Sequence, residues 1–449
     1  MSRYEDLTRQ LNKLPRGYIS TKTIKGHEYH YLQWLDNGKI QSSYVREENL
    51  LDMYGKIDER KRIEKELSQL ADAGRDAPIL SKRARELTGS LMMGDSEVAR
   101  FDRGQLNWID EDRAPLYIVR THNISGFLAS RAVDSSRTNA RVLKKIMDIH
   151  GEPDDMVALH SHGATITDNY WFRARGSKLR YRDISFETDI YSDIALNGST
   201  YIYNRKSKLS PELTLTGSYE KCWKLIDGEW WMYKRGNADE LFSELLCSRL
   251  AALMGIPTAE YELVPGEAGI IRTRNFASEY NFEPMMSIAG DDDSYDNVFY
   301  NLARLETNST VDSNAALARD YIRLILFDTI VNNVDRHNEN LGLMRDRNTG
   351  TVVGLAPNFD NNLALIARTR TLNMNPSRDG MIKFYREFIR RNPVAAECAK
   401  KAELRQLNRD DVTNCVKEAA ASCARDGQLN PDTEQIIKYV LDRYNYLMK

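Results

Sequence analysis

Long apolar runs are missing from this chain of 449 residues. No stretch approaches the roughly 18 consecutive apolar residues that a membrane-spanning helix requires, and the first ten residues are too polar for a secretory signal peptide. A surplus of charge of either sign is missing as well, because 63 Lys and Arg stand against 65 Asp and Glu. This balance excludes a global basic field for nucleic acid or anionic lipid, although local patches remain open. We expect a cytoplasmic protein without a membrane partner.

Cysteine is scarce, with five residues in the whole chain. The cysteines are scattered, without a C-x-x-C pair or a cysteine–histidine group at zinc spacing, which indicates reduced and partly buried thiols. His160 and His162 form an H-x-H pair that could place two ligands on one face of a strand. Because no further ligand cluster accompanies this pair, we do not predict a metal site there.

What the chain does have is the composition of a folded protein with more than one lobe. Apolar residues make up 41% and charged residues 29% of it, and its length exceeds what one hydrophobic core normally organises. We predict a small N-terminal β-hairpin and helical module over residues 1–92, a strand-rich half over 93–274 and a helical half over 275–449. Strands followed by helices in this order predict an α+β fold with two lobes and a cleft between them.

Strand and helix signals converge in the middle of the chain. Residues 214–216, 222–226 and 230–234 alternate in polarity and are separated by glycine turns, which predicts three antiparallel strands. A helix is predicted over 239–254, where leucines recur every three to five positions. Further upstream, the β-prone residues 115–119 predict a strand.

A polar loop follows the core-facing helix predicted over 319–331. In this loop Asp335 and Asn340 stand five positions apart, and two strand-like segments lead on to Asp360. Transfer of a γ-phosphoryl group needs a carboxylate that orients or deprotonates the attacking hydroxyl, and oxygen ligands that hold Mg²⁺ against the phosphates. Taken alone, Asp335 and Asn340 equally fit a cap and a turn. Together with Asp360 and the lysine-bearing strands upstream, they favour a phosphotransferase that uses ATP and Mg²⁺.

Four stretches carry a resemblance to the HipA-type bacterial kinases, whose fold is akin to that of phosphatidylinositol kinases and, more distantly, protein kinases. They are LTLTGSYEK at 213–221, ELLCSRLA at 244–251, IVNNVDRHNEN at 330–340 and LAPNFD at 355–360. The resemblance covers about residues 95–449 and implies a two-lobed, protein-kinase-like fold with a strand-rich N-lobe and a helical C-lobe.

The same resemblance implies roles for individual residues. Asp335 would be the catalytic base, and Asn340 and Asp360 would bind Mg²⁺. The ATP-binding residues that it implies are Lys234, Gly217, Ser218, Glu244, Ile271 and Thr273. Among these, Glu244 would pair with Lys234, and the adenine-binding hinge would lie near residues 270–273. The chain departs from the protein-kinase pattern where Asn361 and Asn362 replace Phe-Gly, and in the single glycine of its phosphate loop.

Several assignments have rivals within the sequence. Lys221 and Lys224 compete with Lys234 for the phosphate role, and Glu240 lies one turn before Glu244 on the same helix face. Two residues of the catalytic loop and three aromatic residues fit structural roles better than chemical ones: Arg336, His337, Trp223, Trp230 and Trp231.

The leading interpretation is a Ser/Thr protein kinase that phosphorylates a cytosolic protein and possibly itself. By resemblance, it would act as a toxin or stress regulator with an antitoxin or a DNA-associated partner. One alternative is a phosphatidylinositol-type lipid kinase. Another is a non-catalytic nucleotide-binding regulator whose N-terminal hairpin binds DNA or is simply solvated. The residues that would contact DNA are Arg16, Lys22, Lys25 and Lys39, interleaved with Tyr18, Tyr29, Tyr31 and Trp34.

Overall fold

The α+β class predicted from the sequence is confirmed by the computed structural model, in which small antiparallel sheets alternate with helices. The residues described are 13–15, 18–24, 27–36, 39–46, 49, 53, 56, 60, 87–133, 137, 139–198, 209–217, 219–307, 316–367, 372–402, 404–425 and 431–449. They belong to two compact units, which divide between Lys82 and Arg83.

The first unit contains a three-stranded antiparallel sheet in the order β1-β2-β3. Its strands are β1 (Tyr18–Ile24), β2 (His27–Asp36) and β3 (Lys39–Val45). Alternation of polarity places Leu32 and Val45 in buried positions, while Tyr44 is exposed. The helices predicted after β3 fall almost entirely outside the described residues, and so do the side chains of Arg16, Lys22, Lys25 and Lys39.

The second unit begins with a four-stranded sheet in the order β6-β5-β4-β7. Its strands are β4 (Gly89–Met93), β5 (Ser96–Asp102), β6 (Gln105–Trp108) and β7 (Tyr170–Ala174). Six short helices accompany it: α1 (Leu116–Thr121), α2 (Ile124–Ala129), α3 (Ala140–Ile146), α4 (Asp154–Leu159), α5 (Tyr181–Ile184) and α6 (Ser192–Asn197). The boundary predicted at residue 92 falls inside β4.

The second sheet of this unit runs in the order β10-β11-β9-β8. It comprises β8 (Lys221–Ile226), β9 (Glu229–Arg235), β10 (Tyr261–Leu263) and β11 (Ile270–Arg274). The strands predicted over 222–226 and 230–234 are present, but the strand predicted over 214–216 is not. In its place a 3-10 helix, Pro211–Thr214, begins at Ser210, whose side chain accepts a hydrogen bond from the backbone N–H of Glu212. Proline at the first position of this turn favours the helical start over an extended strand.

The third sheet, β12 (Tyr280–Pro284), β13 (Gly342–Asp346) and β14 (Val352–Leu355), lies within the part predicted as helical. The remaining helices are α7 (Ala238–Leu253), α8 (Met286–Ala289), α9 (Tyr295–Thr307), α10 (Ala316–Val331), α11 (Gly380–Arg391), α12 (Pro393–Lys400), α13 (Arg409–Arg425) and α14 (Thr433–Leu447). None of the helices that the structure describes is both long and apolar enough to cross a membrane.

Helices α7 and α10 form the centre of a large apolar core. Helix α7 starts with a capping box, in which Asn237 and Glu240 satisfy each other's backbone N–H groups. Most side chains of α10 are buried among α7, α9 and the C-terminal helices. The chain leaves α10 through Asn332, whose φ of 56° ends the helix. This rigid exit fixes the start of the loop that contains Asp335.

The pairing of β4 predicts where the first unit can be removed. A chain that begins at residue 83 should unfold cooperatively, whereas one that begins at Asp95 should lose the inner strand of its first sheet. That strand carries Leu91, Met92 and Met93, all at most 2% exposed. At about 1.5–3 kcal/mol for each buried side chain, its loss should lower the free energy of unfolding by at least about 5 kcal/mol. Urea denaturation followed by circular dichroism would test this, and equal midpoints for the two chains would contradict it.

Candidate active site

A cavity of about 270 Å³ lies between the β8–β9 hairpin and the loops that follow α10 and β14. It brings together residues far apart in the sequence, including six that the sequence analysis named: Gly217, Lys234, Thr273, Asp335, Asn340 and Asp360. Of the other three predicted residues, two do not line it and one is not described. Glu244 lies behind Lys234, Ile271 is buried in the core, and Ser218 is outside the described residues.

The hinge assignment needs a correction, because Ile271 points into the apolar core and is 1% exposed. The cavity is lined instead by residues 273–276, at the end of β11 and just beyond it. Side chains alternate across a strand, so Ile271 and Thr273, two positions apart, lie on the same face of β11. Thr273 lines the cavity while Ile271 does not, because the chain approaches the cavity only as β11 ends.

Lys234, on β9, is the cationic centre of the site. Its ammonium group forms an ion pair with Asp360 and lies 3.9 Å from Glu244 Oε2. It also stacks 4.8 Å from the centre of the Tyr219 ring. Burial alone would lower the pKa of Lys234, but the two carboxylates outweigh this effect and raise it. The lysine is therefore held in its charged form.

The pKa values of the two carboxylates around Lys234 are shifted in opposite directions. Burial raises the pKa of Glu244, whose Oε1 accepts a hydrogen bond of 2.8 Å from the backbone N–H of Asn361. Burial works in the same direction on Asp360, but Lys234 and Lys221 hold its pKa below the usual range. Asp360 is thus the firmly ionised member of the pair.

The structure distinguishes Glu244 from Glu240 and Lys234 from Lys224, the alternatives that the sequence left open. Glu240 accepts hydrogen bonds from Tyr219 Oη and from the backbone of Asn237, so it is occupied elsewhere. Lys224 lies 3.6 Å from Glu267 and does not line the cavity. Glu244 and Lys234 therefore form the pair in this structure.

Lys221 remains as a second cation in the cavity wall, directly opposite Lys234 in the β8–β9 ladder. Its Nζ lies 3.0 Å from the position that a Cβ on Gly217 would occupy. Its ammonium group makes no ion pair or hydrogen bond with any residue that the structure describes. Burial, with the nearby positive charge of Arg137, lowers the pKa of Lys221 to about 8. The nearby carboxylates of Asp360 and Glu339 offset this effect only in part, and a cation in this position is well placed to meet an anion.

The loop that contains Asp335 and Asn340 is fixed by short-range hydrogen bonds. The backbone N–H of Asp335 donates to Asn333 Oδ1 at 3.2 Å, and the side-chain amide of Asn340 donates to the carbonyl of Asp335 at 3.1 Å. Asn340 is 7% exposed, and its Oδ1 has no partner among the described residues. The side chain of Asn340 and the backbone of Asp335 thus close one turn.

Arg336 connects this turn to the segment that carries Asp360. Its guanidinium forms two hydrogen bonds of 2.9 Å with the fully buried Asp328 of α10. It also donates to the backbone carbonyls of Asn340 and Phe359, each at 2.7 Å. The side-chain oxygens of Asn358 and Asn361 complete its contacts. Arg336 has the structural role expected from the sequence, and it contacts more residues than the sequence indicated.

The donor groups at the polar end of the cavity fit Mg²⁺. Asn340 Oδ1 and the Asp360 carboxylate are hard oxygen donors, and Mg²⁺ is usually bound through one or two such ligands together with water and substrate phosphates. No group of three or more His, Cys, Asp and Glu side chains suited to a metal occurs in the part of the chain that the structure describes. The site therefore fits a metal that arrives with phosphates, and not one held by the protein alone.

The apolar end of the cavity contains residues that the sequence analysis did not assign. Phe276, Phe282 and Phe359 form one wall, with ring centres 5.3–5.7 Å apart. Trp223 and Met232 also line the cavity and belong to a second apolar cluster, which forms a further wall. Phe359 precedes Asp360 and could have been suspected, but no local pattern linked the other four. An apolar slot beside a polar end suits a flat base attached to a charged group.

Comparison with known proteins identifies two regions. A family model described as the HipA-like C-terminal domain matches residues 213–426, and a domain of unknown function (DUF6788) matches residues 2–55. A search of curated proteins finds no match.

Two solved structures are similar over longer stretches. The proinflammatory kinase CtkA of Helicobacter pylori has 16% identity over 52% of this chain and 90% of its own, with a TM-score of 0.33. HipA of Shewanella oneidensis MR-1, in complex with HipB and its operator DNA, has 14% identity over 80% of this chain and 99% of its own, with a TM-score of 0.44.

The family match contains the four stretches that carry the resemblance, at 213–221, 244–251, 330–340 and 355–360, together with Lys234. The resemblance stated from the sequence is thereby confirmed. Over residues 213–426, just under half of its length, the chain is similar to the HipA-like C-terminal domain family.

Proposed function

We propose that this protein is an ATP- and Mg²⁺-dependent phosphotransferase, specifically a Ser/Thr protein kinase of the HipA type that acts in the cytoplasm. One observation carries the proposal. Lys234, Asp335, Asn340 and Asp360 come from three separate segments and line one cavity. A base, oxygen ligands for a metal and a cation for phosphate are the groups that phosphoryl transfer needs in one place.

The nucleotide is oriented by the polarity of the cavity. Its base lies between the Phe276–Phe282–Phe359 wall and the Trp223–Met232 wall, where stacking and burial replace contact with water. Its phosphates extend towards Lys221, Lys234 and Gly217 at the opposite end. This arrangement directs the γ-phosphoryl group to the catalytic loop.

Lys234 and Asp360 act as a prearranged pair. Each holds the other in its ionised form before substrate binds, so neither must be recruited when phosphate arrives. Asn340 and Asp360 would hold Mg²⁺, which when bound would offset negative charge on the phosphates. Glu244 keeps Lys234 in position from behind, through the 3.9 Å approach.

Asp335 acts on the acceptor. Its carboxylate orients the attacking Ser or Thr hydroxyl and accepts its proton, while the hydrogen bond from Asn340 fixes the backbone beneath it. The acceptor belongs to a cytosolic protein or to the chain itself. An antitoxin or DNA-associated partner, expected from the resemblance, is part of the same proposal.

The first prediction concerns Asp360 and the metal. Mg²⁺ with ATP should raise the melting temperature of the wild type, because a ligand that binds only the native state stabilises it. Asp360→Ala should lose the Mg²⁺-dependent part of this shift and keep a smaller response to ATP alone. Differential scanning fluorimetry with and without Mg²⁺ measures both parts. Asp346→Ala, outside the cavity, serves as the control, and a full Mg²⁺-dependent shift in Asp360→Ala would remove this carboxylate from the metal site.

The second prediction separates chemistry from binding. Asp335→Asn should lower phosphoryl transfer by about a hundredfold to ten-thousandfold while changing ATP affinity by much less. The measurements are transfer from labelled ATP and calorimetric ATP binding, with the partly exposed Asp320→Asn as control.

Three acceptors distinguish the candidate functions in that assay: the chain itself, a protein extract and phosphatidylinositol vesicles. Transfer to the vesicles alone would favour the lipid-kinase alternative. Binding of Mg²⁺-ATP by the wild type without transfer to any of the three would favour a regulator without catalytic activity.

The third prediction uses the pKa of Lys221. Its value of about 8 means that the free lysine loses its proton as the pH rises through 8. Phosphate binds the protonated form, so wild-type ATP affinity should be highest below pH 8 and fall above it, by up to about tenfold per pH unit. Lys221→Arg keeps the charge and should flatten this dependence, whereas Lys221→Met should bind weakly at every pH. Calorimetry from pH 7 to pH 9.5 tests this, and identical profiles for the wild type and Lys221→Arg would contradict it.

A further inference from the structure

Arg137 is a buried arginine behind the loop at residues 215–217, far in sequence from the residues assigned above. It is 2% exposed. Its Nη2 donates to the backbone carbonyls of Leu215 at 2.8 Å, Thr216 at 3.0 Å and Gly217 at 3.2 Å. Its Nη1 lies 3.5 Å from the carbonyl of Lys221, where β8 begins. One guanidinium therefore contacts four carbonyls of the segment that closes the phosphate end of the cavity.

These contacts determine where the opposite face of the loop points. In a trans peptide the N–H is directed away from the C=O of the same unit. Because the carbonyls of Leu215 and Thr216 face Arg137, the N–H groups of Thr216 and Gly217 face the other way. Both residues line the cavity, and neither backbone N–H donates a hydrogen bond to any residue that the structure describes. Successive free N–H groups of this kind form a concave site for an anion.

Arg137 stabilises the orientation in which the loop presents these donors. With φ at 83°, Gly217 occupies a conformation that allows its peptide units to turn, and turned peptides would place carbonyl oxygens towards the phosphates. An arginine suits the task because its planar group carries five donors in a fixed arrangement, which a lysine cannot reproduce.

We propose that Arg137 is a positioning residue that orders the 215–217 loop as a phosphate-binding site. The inference rests on the proposed function, since it assigns the loop to the phosphates of ATP. Arg137 itself does not touch the nucleotide. Its effect is confined to ligands that carry phosphate, and this distinguishes it from an arginine that only stabilises the fold.

The test compares two ligands that differ in their phosphates. Calorimetry would give the affinities of ATP and adenosine for the wild type, Arg137→Lys and Arg137→Gln. We expect adenosine affinity to change by about twofold or less in the variants. ATP affinity should fall by about tenfold or more. The loop carbonyls lose their hydrogen bonds to the charged guanidinium, and the loop then no longer presents its N–H groups to phosphate. For Arg137→Ala, added guanidinium ion should restore part of the ATP affinity, whereas sodium at the same ionic strength should not.

Arg443→Lys is the matched control. Arg443 is also fully buried and donates to the backbone carbonyls of Thr329 and Ile330, but it contacts none of the loop residues. Its replacement should lower the melting temperature and leave the ratio of ATP to adenosine affinity unchanged. A ratio that stays at the wild-type value in Arg137→Lys, or an equal loss of both ligands there, would overturn the role of Arg137. A wild type with no preference for ATP over adenosine would overturn the phosphate site and the proposed function with it.

Discussion

The candidate site depends on one buried ion pair, between Arg336 of the catalytic loop and Asp328 of α10. Their side chains are 4% and 0% exposed, and the arginine also binds the carbonyls of Asn340 and Phe359. Burial opposes the charge on Arg336, but Asp328 outweighs it and raises the pKa of the arginine. Removing one partner of such a pair typically costs about 3–5 kcal/mol, because the other is left charged and buried. The helix, the catalytic loop and the segment before Asp360 are therefore held together or lost together.

A second constraint is the charge balance in the cavity. Lys221 and Lys234 face Glu244 and Asp360 in a region where charges are poorly solvated. The pairing is unequal, because Lys234 contacts both carboxylates while Lys221 contacts neither. The charge of Lys234 is therefore already balanced by protein carboxylates, whereas the ammonium group of Lys221 is available to an incoming phosphate. This asymmetry explains why two lysines occupy facing positions in the hairpin, where like charges would otherwise be unfavourable.

The parts of the structure that could be predicted are those specified by local sequence. The α+β class, β8, β9, α7 and α10 follow from periodicity and capping, and the spacing of Asp335 and Asn340 defines a single loop. Residues 115–119 were wrongly predicted as a strand, since most of them belong to α1. Their β-branched composition favours a strand, but Pro115 begins the helix and Ile118 packs into the core, so tertiary contacts outweigh propensity.

Long-range contacts account for most of the remaining differences between the predictions and the structure. Nothing near Arg137 in the sequence indicates that it contacts a loop some eighty positions later, and nothing links Phe282 to Phe359. The boundary at residue 92 was placed by a change in composition, whereas β4 is defined by its pairing with β5 and β7. A pairing partner some eighty positions away leaves no local signal.

The two readings of the catalytic loop weighed from the sequence, a turn or a catalytic pair, prove to be compatible. Asn340 does serve the turn, because its amide N–H binds the carbonyl of Asp335. Its Oδ1 is a separate atom and is left open for the cavity. Asp360 also has two roles. Its φ of 59° is a turn conformation that Asp tolerates better than most residues, and its carboxylate binds Lys234. Asp and Asn can form a tight turn and supply oxygen ligands at once, so in such a loop their value as turn residues does not argue against their chemistry.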